Sequence, residues 1–262
     1  MTTFDLDAYL RRIGRSGPTH ADLETLKALH HAHIEAIPFE NLEIQMGGSI
    51  ALDLGTLQAK MVQRRRGGYC FEQNTLFSTA LRSIGFDVET CEARVRQGAE
   101  GVTRPRTHMV LRVHCEGRAF LADVGFGGDG LIEPILMDGS SSEQAGVTYR
   151  IAREDPLRIL QRAVAGRWED LYAVLPDPVF PIDYEAGNWL TSTHPNSPFV
   201  LNVTAQRMVG STRHVLRNLT YSVARGSDVQ TREITRAELI GLLRDTFGID
   251  VPDTARFRAL DG

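Results

Sequence analysis

In the first third of the chain, apolar residues recur every three or four positions, which is the spacing of an amphipathic helix. Each apolar stretch ends at a helix-breaking residue, as at Gly14, Pro38 and Gly85. Thr19 is predicted to cap the second helix at its N-terminus, with Asp22 three residues later. The predicted helices cover residues 6–13, 20–37, 53–66 and 70–84.

Beyond Gly85 the pattern changes to segments rich in valine, threonine and aromatic residues with a period of two, which is typical of β-strands. Glu116-Gly117 and Ala165-Gly166 each separate two such segments and predict hairpin turns. The predicted strands cover residues 86–97, 108–115, 118–124, 147–153, 157–164, 167–175 and 199–225.

The order of these elements indicates the α+β class, because the helices precede the strands instead of alternating with them. A stretch rich in proline, aspartate and asparagine, residues 176–198, is predicted to be a loop. A last amphipathic helix is predicted after Thr235 and Glu238, which form a capping-box pattern.

Composition and charge narrow the class of protein. The chain has 262 residues, of which 24% are charged and 42% hydrophobic, as in ordinary globular proteins. Its net charge of −4 gives no sign of nucleic-acid binding. Three cysteines without a CxxC pair argue against a disulfide framework and a zinc site. With no signal peptide and no membrane-spanning segment, the protein is expected to be soluble and cytoplasmic.

Cys70 is a candidate nucleophile because it stands at the predicted start of a helix, directly after Gly67, Gly68 and Tyr69. There the unpaired backbone N–H groups and the positive end of the helix dipole favour the thiolate over the thiol. The alternative is a buried structural cysteine, and this stretch alone does not decide between the two.

A cysteine nucleophile needs a base, usually histidine, and an acceptor that orients the base. If Glu116-Gly117 forms a two-residue turn, His108 and Asp123 lie on one face of the hairpin as diagonal neighbours. Their Cα atoms are then about 7–8 Å apart, a distance that side chains span. The spacing alone slightly favours the alternative, a half-exposed histidine on a strand and an aspartate near a turn, but together with Cys70 the catalytic interpretation is preferred. Two other histidines, His30 and His33, share a helix face but are interpreted as a partly exposed surface without a completed metal site.

Residues 125–130 match the pattern GxGxxG after a strand. A dinucleotide-binding fold would require a helix next, and Pro134 follows too soon for one. The segment is interpreted instead as an open loop beside Asp123, whose glycines let a ligand approach the backbone.

The chain resembles the arylamine N-acetyltransferase family over nearly its whole length. The segments that carry the resemblance are RGGYCFEQN at 66–74, THMVLRV at 107–113, DVGFGG at 123–128, YLRRIG at 9–14, IPFEN at 37–41 and STHPNSPF at 192–199. The combination is much more specific than any single motif.

The resemblance implies a papain-like core in three parts. These are an N-terminal helical bundle (1–85), a central antiparallel β-barrel (86–190) and a C-terminal α/β lid (191–262). It also implies acetyl transfer from acetyl-CoA to the nitrogen of aromatic amines or hydrazines, in a ping-pong reaction through an acetyl-cysteine. No metal, nucleic acid or membrane is implied, and homo-oligomer formation stays open.

The resemblance further implies a role for particular residues. Cys70, His108 and Asp123 match the family's catalytic triad of nucleophile, base and orienting acid. Val95, Phe126 and Phe199 resemble the apolar acceptor pocket, with an ordinary core as the alternative. Gly127 and Gly128 are expected to contact the acyl donor. Glu40 and Arg66 are expected to form a buried ion pair that holds the turn before Cys70, with ordinary surface charges as the alternative.

Two departures from the family pattern are visible. The loop after Gly128 carries Asp129 and Glu133, which do not suit a phosphate-rich donor, and Arg104 and Arg106 are candidates to compensate. The chain also has little sequence after its last predicted helix, which predicts a more open cleft.

Other functions use the same cysteine chemistry. An amide synthase that closes a polyketide chain is the main alternative, and a Cys-His-Asp hydrolase is a further one. A binding protein with an inactive triad is disfavoured because all three residue types are present.

Overall fold

The computed structural model describes residues 3–226 and 228–261. The longer helices are α1 (Leu6–Arg12), α2 (Leu23–Ala36), α5 (Cys70–Ile84), α6 (Pro181–Thr193) and α8 (Arg236–Asp245). Single-turn helices are α3 (Leu42–Gln45), α4 (Leu54–Leu57), α7 (Pro198–Leu201) and α9 (Arg258–Asp261), and a π-helical segment (Gln58–Gln63) continues α4.

The strands form two antiparallel sheets. The larger contains β2 (Asp87–Val95), β3 (His108–Cys115), β4 (Arg118–Ala122), β5 (Ile135–Leu136), β6 (Ser141–Gln144), β7 (Val147–Glu154), β8 (Leu157–Val164) and β9 (Arg167–Val174). The smaller contains β1 (Phe39–Glu40), β10 (Thr204–Val209), β11 (Thr212–Arg217), β12 (Thr220–Arg225) and β13 (Asp228–Glu233).

The larger sheet has the order β5-β4-β3-β2-β9-β8-β7-β6 and curves into a nearly closed barrel. The predicted hairpin register is confirmed, since Cys115 faces Arg118 and Leu111 faces Ala122. Its turn residues Glu116 and Gly117 have φ of 51° and 72°, as a two-residue hairpin turn requires. The α+β class is likewise confirmed.

Helix α5 is the element that joins the helical region to the barrel. Its apolar face, which includes Leu76, Phe77 and Leu81, is fully buried against the other helices and against the face of β2 and β3 that points away from the barrel interior. Gly85 ends it with φ of 109°, a conformation that favours glycine. The start of α5 is therefore held beside the ends of β3 and β4.

Three predictions of local structure are wrong. Helix α2 begins after Asp22, whose carboxylate accepts the N–H of Thr25, so Thr19 is not the cap. The region 176–198 is not only a loop, because α6 lies within it and starts at Pro181. The first residues of 199–225 are helical, in α7, before the strands begin.

The division into units at 85/86 and 190/191 stays a prediction. Helix α6 crosses the second boundary, and β1 from the N-terminal region pairs with β10 of the smaller sheet, with Phe39 opposite Gln206. In residues 3–226 and 228–261, no helix has the length and apolarity needed to cross a membrane.

Candidate active site

Cys70 is the first residue of α5, so its backbone N–H has no partner within the helix. The side chain of Glu72 accepts the N–H of Tyr69 at 3.1 Å and fixes the entry of the chain into the helix. Cys70 is 4% exposed, and its Sγ lies 3.6 Å from the carbonyl oxygen of Thr107, directly before His108. The thiol is thus near the surface of the core and directed towards the start of β3.

The turn before Cys70 is held by a buried ion pair, as predicted. Arg66 Nη2 lies 2.9 Å from Glu40 Oε1, and the same oxygen accepts the N–H of Gly67 at 3.3 Å. A Cβ on Gly67 would stand 1.9 Å from the carbonyl oxygen of Pro38, so no other residue fits there. The backbone of residues 38–40 therefore lies directly against the glycine turn.

A second buried ion pair, which the sequence analysis missed, lies under the same turn. Lys60 Nζ is 2.7 Å from Glu72 Oε1, and the two side chains are 4% and 2% exposed. Burial alone would lower the pKa of Lys60, but the carboxylates of Glu72 and Glu40 outweigh it and raise this pKa. The ammonium group stays charged and links the π-helical segment to α5.

His108 and Asp123 form a buried hydrogen-bonded pair. His108 Nε2 lies 2.7 Å from Asp123 Oδ2, and the two side chains are 3% and 0% exposed. The other carboxylate oxygen accepts the side-chain N–H of Asn74 and the backbone N–H of Gly125, each at 2.9 Å. Because Asp123 occupies Nε2, the nitrogen left to face Cys70 is Nδ1.

The charges of this pair stabilise each other. Burial alone would lower the pKa of His108, but Asp123, with a smaller contribution from Cys70, raises it to about 10. Burial alone would raise the pKa of Asp123, but His108, Asn74 and Gly125 hold it below its ordinary value. An imidazolium next to an ionised carboxylate is therefore the favoured state at neutral pH.

The three predicted pocket residues make contacts in two different places. Phe126 packs edge-on to the ring of His108 at 5.3 Å and contacts Tyr172 at 5.1 Å, and Val95 is the strand partner of Tyr172. Phe199 packs instead on Tyr69, at 5.6 Å. All three predicted residues are half-buried, as a pocket wall would be.

A backbone N–H group of the glycine-rich loop (residues 123–132) is already hydrogen-bonded within the protein. The side chain of Gln206 on β10 accepts the N–H of Gly128. A Cβ on either Gly127 or Gly128 would stand 2.7 Å from the same side-chain oxygen. The cavity behind the loop has a volume of about 40 Å³, which is too small for a typical ligand. In this structure the N–H of Gly128 is therefore occupied by Gln206.

The charge of Asp129 in that loop is neutralised by a partner within the protein. Asp129 pairs with Arg162 and accepts a hydrogen bond from Gln97 at 2.6 Å. The proposed compensating cations have other partners: Arg104 binds the carbonyl of Gly98, whereas Arg106 pairs with Glu92 and Asp177. The two arginines therefore do not compensate for Asp129 in this structure.

The interpretation of His30 and His33 as a partly exposed surface is wrong, because both are 0% exposed. His33 binds Tyr9 and Gln73, and His30 binds the backbone of the glycine-rich loop. Their partners lie far away in sequence, so helix periodicity alone does not reveal them. Asn74 was also missed, although its position one turn after Cys70 places it on the same helix face.

The site places the imidazolium of His108 between the thiol of Cys70 and the carboxylate of Asp123. The backbone N–H of Cys70, at the start of the helix, lies in the same site. Such an arrangement suits nucleophilic attack on a carbonyl carbon, with proton transfer through the histidine. In the described parts of the chain, no group of three or more His, Cys, Asp or Glu side chains is arranged to hold a metal ion.

Comparisons with known proteins agree on one family. The N-acetyltransferase family model matches residues 22–256. An arylamine N-acetyltransferase of Mycolicibacterium smegmatis is 38% identical over 96% of this chain and 94% of its own. The solved structure of the Mycobacterium marinum arylamine N-acetyltransferase with CoA has a TM-score of 0.89 at 34% identity, covering 94% of this chain and 93% of that one. A proansamycin X synthase of Amycolatopsis mediterranei is 31% identical over 68% of this chain and 70% of its own.

Proposed function

The chain belongs to the arylamine N-acetyltransferase family, and we propose that Cys70, His108 and Asp123 carry out its reaction. The enzyme transfers the acetyl group of acetyl-CoA to the nitrogen of aromatic amines. The observation that supports these roles most strongly is the buried 2.7 Å contact between His108 and Asp123, beside a cysteine at a helix start.

In the first half-reaction, the Cys70 sulfur attacks the thioester carbonyl carbon of acetyl-CoA. A new carbon–sulfur bond to Cys70 forms as the bond to the CoA sulfur breaks, and the His108 imidazolium protonates the departing CoA thiolate. The backbone N–H of Cys70, which has no partner within α5, is placed to stabilise the negative charge on the carbonyl oxygen.

In the second half-reaction, the nitrogen of the amine attacks the acetyl group held on Cys70. His108, now neutral, accepts the proton that the amine loses, and the Cys70 thiolate leaves. Asp123 keeps the ring of His108 oriented in both steps, because it holds Nε2 and leaves Nδ1 towards the sulfur. The imidazolium–thiolate state is then restored.

For the acceptor site, we propose that Phe126 and Val95 form one wall and Phe199 the other. The ring of Phe126, which is half-buried and lies against His108, suits an aromatic ring that packs edge-on or offset against it, and the buried Tyr172 supports Phe126 from behind. Aryl hydrazines present the same ring and a similar nucleophilic nitrogen, so they are proposed as further acceptors.

We also propose that Gly127 and Gly128 contact the acyl donor once Gln206 moves away from the Gly128 N–H. Backbone N–H groups of glycines suit phosphate oxygens, since no side chain prevents close approach. A cytoplasmic location is proposed because the three cysteines are free thiols, as is usual in a reducing compartment.

A second candidate function is amide synthesis that closes a polyketide chain, as the name of one relative suggests. It would use the same Cys70 chemistry with a larger acyl chain and an amine in the same molecule. Acetyl transfer is favoured, because the relatives that match nearly the full length are arylamine N-acetyltransferases.

Steady-state kinetics test the proposed function. Initial rates with acetyl-CoA and an arylamine should give parallel double-reciprocal lines, which indicate a ping-pong reaction, and Cys70→Ala should show no turnover. Cys91→Ala is the matched control, since Cys91 is buried in the barrel, and it should keep the parent rate. Intersecting lines, or turnover by Cys70→Ala, would contradict the proposal.

A further inference from the structure

His30 occupies an unusual position between the helical region and the glycine-rich loop. It lies on α2, is 0% exposed, and makes one hydrogen bond with each of its ring nitrogens. Nδ1 lies 2.8 Å from the carbonyl oxygen of Ile132, and Nε2 lies 3.2 Å from the backbone nitrogen of Asp123. Asp123 and Ile132 are the first and last residues of the glycine-rich loop, so the ring of His30 contacts both of its ends.

The partners fix the protonation state of the ring. A carbonyl oxygen only accepts, so Nδ1 must carry the proton that binds Ile132, and Nε2 must accept the N–H of Asp123. This is the neutral imidazole. Burial agrees with it, because it lowers the pKa of His30 to about 4 despite the nearby Asp123 carboxylate.

We propose that His30 is a positioning residue, which sets the backbone of Asp123 and thereby the orientation of His108 towards Cys70. The inference rests on the proposed roles of Asp123 and His108. The carboxylate of Asp123 is held from one side by Asn74 and Gly125, whereas its backbone N–H is held by His30. The ring of His30 also packs edge-on to Phe77 at 5.8 Å, and this packing on the helical core holds the ring in place.

His30 also determines the span of the loop that carries Phe126, Gly127 and Gly128. Because one rigid ring contacts Asp123 and Ile132, the two ends of the loop cannot move apart without losing a buried hydrogen bond. His30 therefore holds in place both Asp123, the proposed orienting acid, and the loop that carries the proposed acceptor and donor contacts.

Three substitutions separate this role from simple core packing. His30→Leu keeps the approximate volume and removes both hydrogen bonds. In His30→Gln, the side-chain oxygen reaches the position of Nε2 and can accept the N–H of Asp123. In His30→Asn, the side-chain nitrogen occupies the position of Nδ1 and keeps only the contact with Ile132. His33→Leu is the matched control, because His33 is equally buried on α2 but binds Tyr9 and Gln73.

The readouts are kcat and the pKa of His108 measured by NMR of labelled histidine. His30→Leu is expected to lower kcat by about 10- to 100-fold, as for a displacement of up to about 1 Å. It should lower the pKa of His108 by about one unit or more. His30→Gln should restore most of both values and His30→Asn should not, while His33→Leu should leave the pKa of His108 unchanged.

A His30→Leu variant with the parent kcat and parent His108 pKa would overturn the proposal. So would equal behaviour of the Gln and Asn variants, which remains decisive if His30→Leu does not fold. The pKa of His108 is read without turnover, so it tests His30 separately from the proposed function. The activity of the parent enzyme tests the function itself.

Discussion

Gly125, after the end of β4, lies very close to the first residue of α5. A Cβ at this position would stand 2.6 Å from Cys70 Cα, 3.1 Å from the carbonyl oxygen of Cys70 and 2.8 Å from the side-chain nitrogen of Asn74. Two of these atoms belong to the backbone of α5, so they cannot rotate away. Gly125→Ala should therefore push the helix and the end of β4 apart.

The size of the effect follows from these distances. Carbon atoms normally approach to about 3.5–4.0 Å, so relief of the contact requires a displacement of roughly 1 Å. Overpacking of this kind costs about 1–3 kcal/mol of stability. A shift of that size between Cys70 and the His108–Asp123 pair should reduce kcat/KM by about 100-fold.

Thermal unfolding and steady-state acetylation of an arylamine measure both effects. Gly241→Ala is the matched control, because Gly241 lies within α8 and its added Cβ meets no atom within 4 Å. This variant should gain about 0.5–1 kcal/mol and keep its activity. If Gly125→Ala retains the parent stability and stays within about twofold of the parent kcat/KM, the argument from close approach is wrong.

Three other properties of the protein can be tested. Glu72→Gln removes the carboxylate that pairs with the buried ammonium group of Lys60, so urea unfolding should show a loss of about 3–5 kcal/mol. The double substitution Lys60→Met and Glu72→Gln, which keeps an acceptor for the N–H of Tyr69, should recover most of that loss, and failure to recover would contradict the ion-pair argument. The unfolded chain protonates His30 and His33 near pH 6.5, whereas the folded protein does so only near 4 and 3. The free energy of unfolding should therefore fall below about pH 6.5, by up to about 1.4 kcal/mol per pH unit for each histidine. Urea unfolding of His33→Leu should show a shallower dependence of this free energy on pH, and an unchanged dependence would argue against a neutral buried His33. Gln206→Ala frees the glycine N–H that it now binds, so the KM for acetyl-CoA should fall by about fivefold, and an increased KM would indicate that Gln206 itself binds the donor.

Local chemistry explains why much of the site was predictable. The turn Glu116-Gly117 fixes which residues of β3 and β4 face each other. Counting residues outwards from the turn therefore places His108 and Asp123 on the same face of the hairpin. Cys70 at the start of a helix follows from the apolar spacing after it and from Gly85 as its end. These features depend on residues close together in sequence.

The features that were missed depend on distant residues. Asp129 looks unsuitable beside an anionic donor until the fold brings Arg162 to it. His30 and Gln206 reach the glycine-rich loop from α2 and β10, and no local pattern predicts either contact. Helix α6 was hidden for another reason, since its proline stands at the first turn, where a helix tolerates it.

The central claim is that Cys70 carries the acetyl group between donor and acceptor. Incubation with acetyl-CoA alone, followed by intact-mass spectrometry and peptide mapping, tests it most directly. We expect one added mass of about 42 Da, the mass gained when acetyl replaces hydrogen, located on Cys70 and removed by an arylamine. Cys70→Ala should remain unmodified. Absence of the adduct from folded parent enzyme that turns over an arylamine, or an adduct at another residue that the amine removes, would contradict the account.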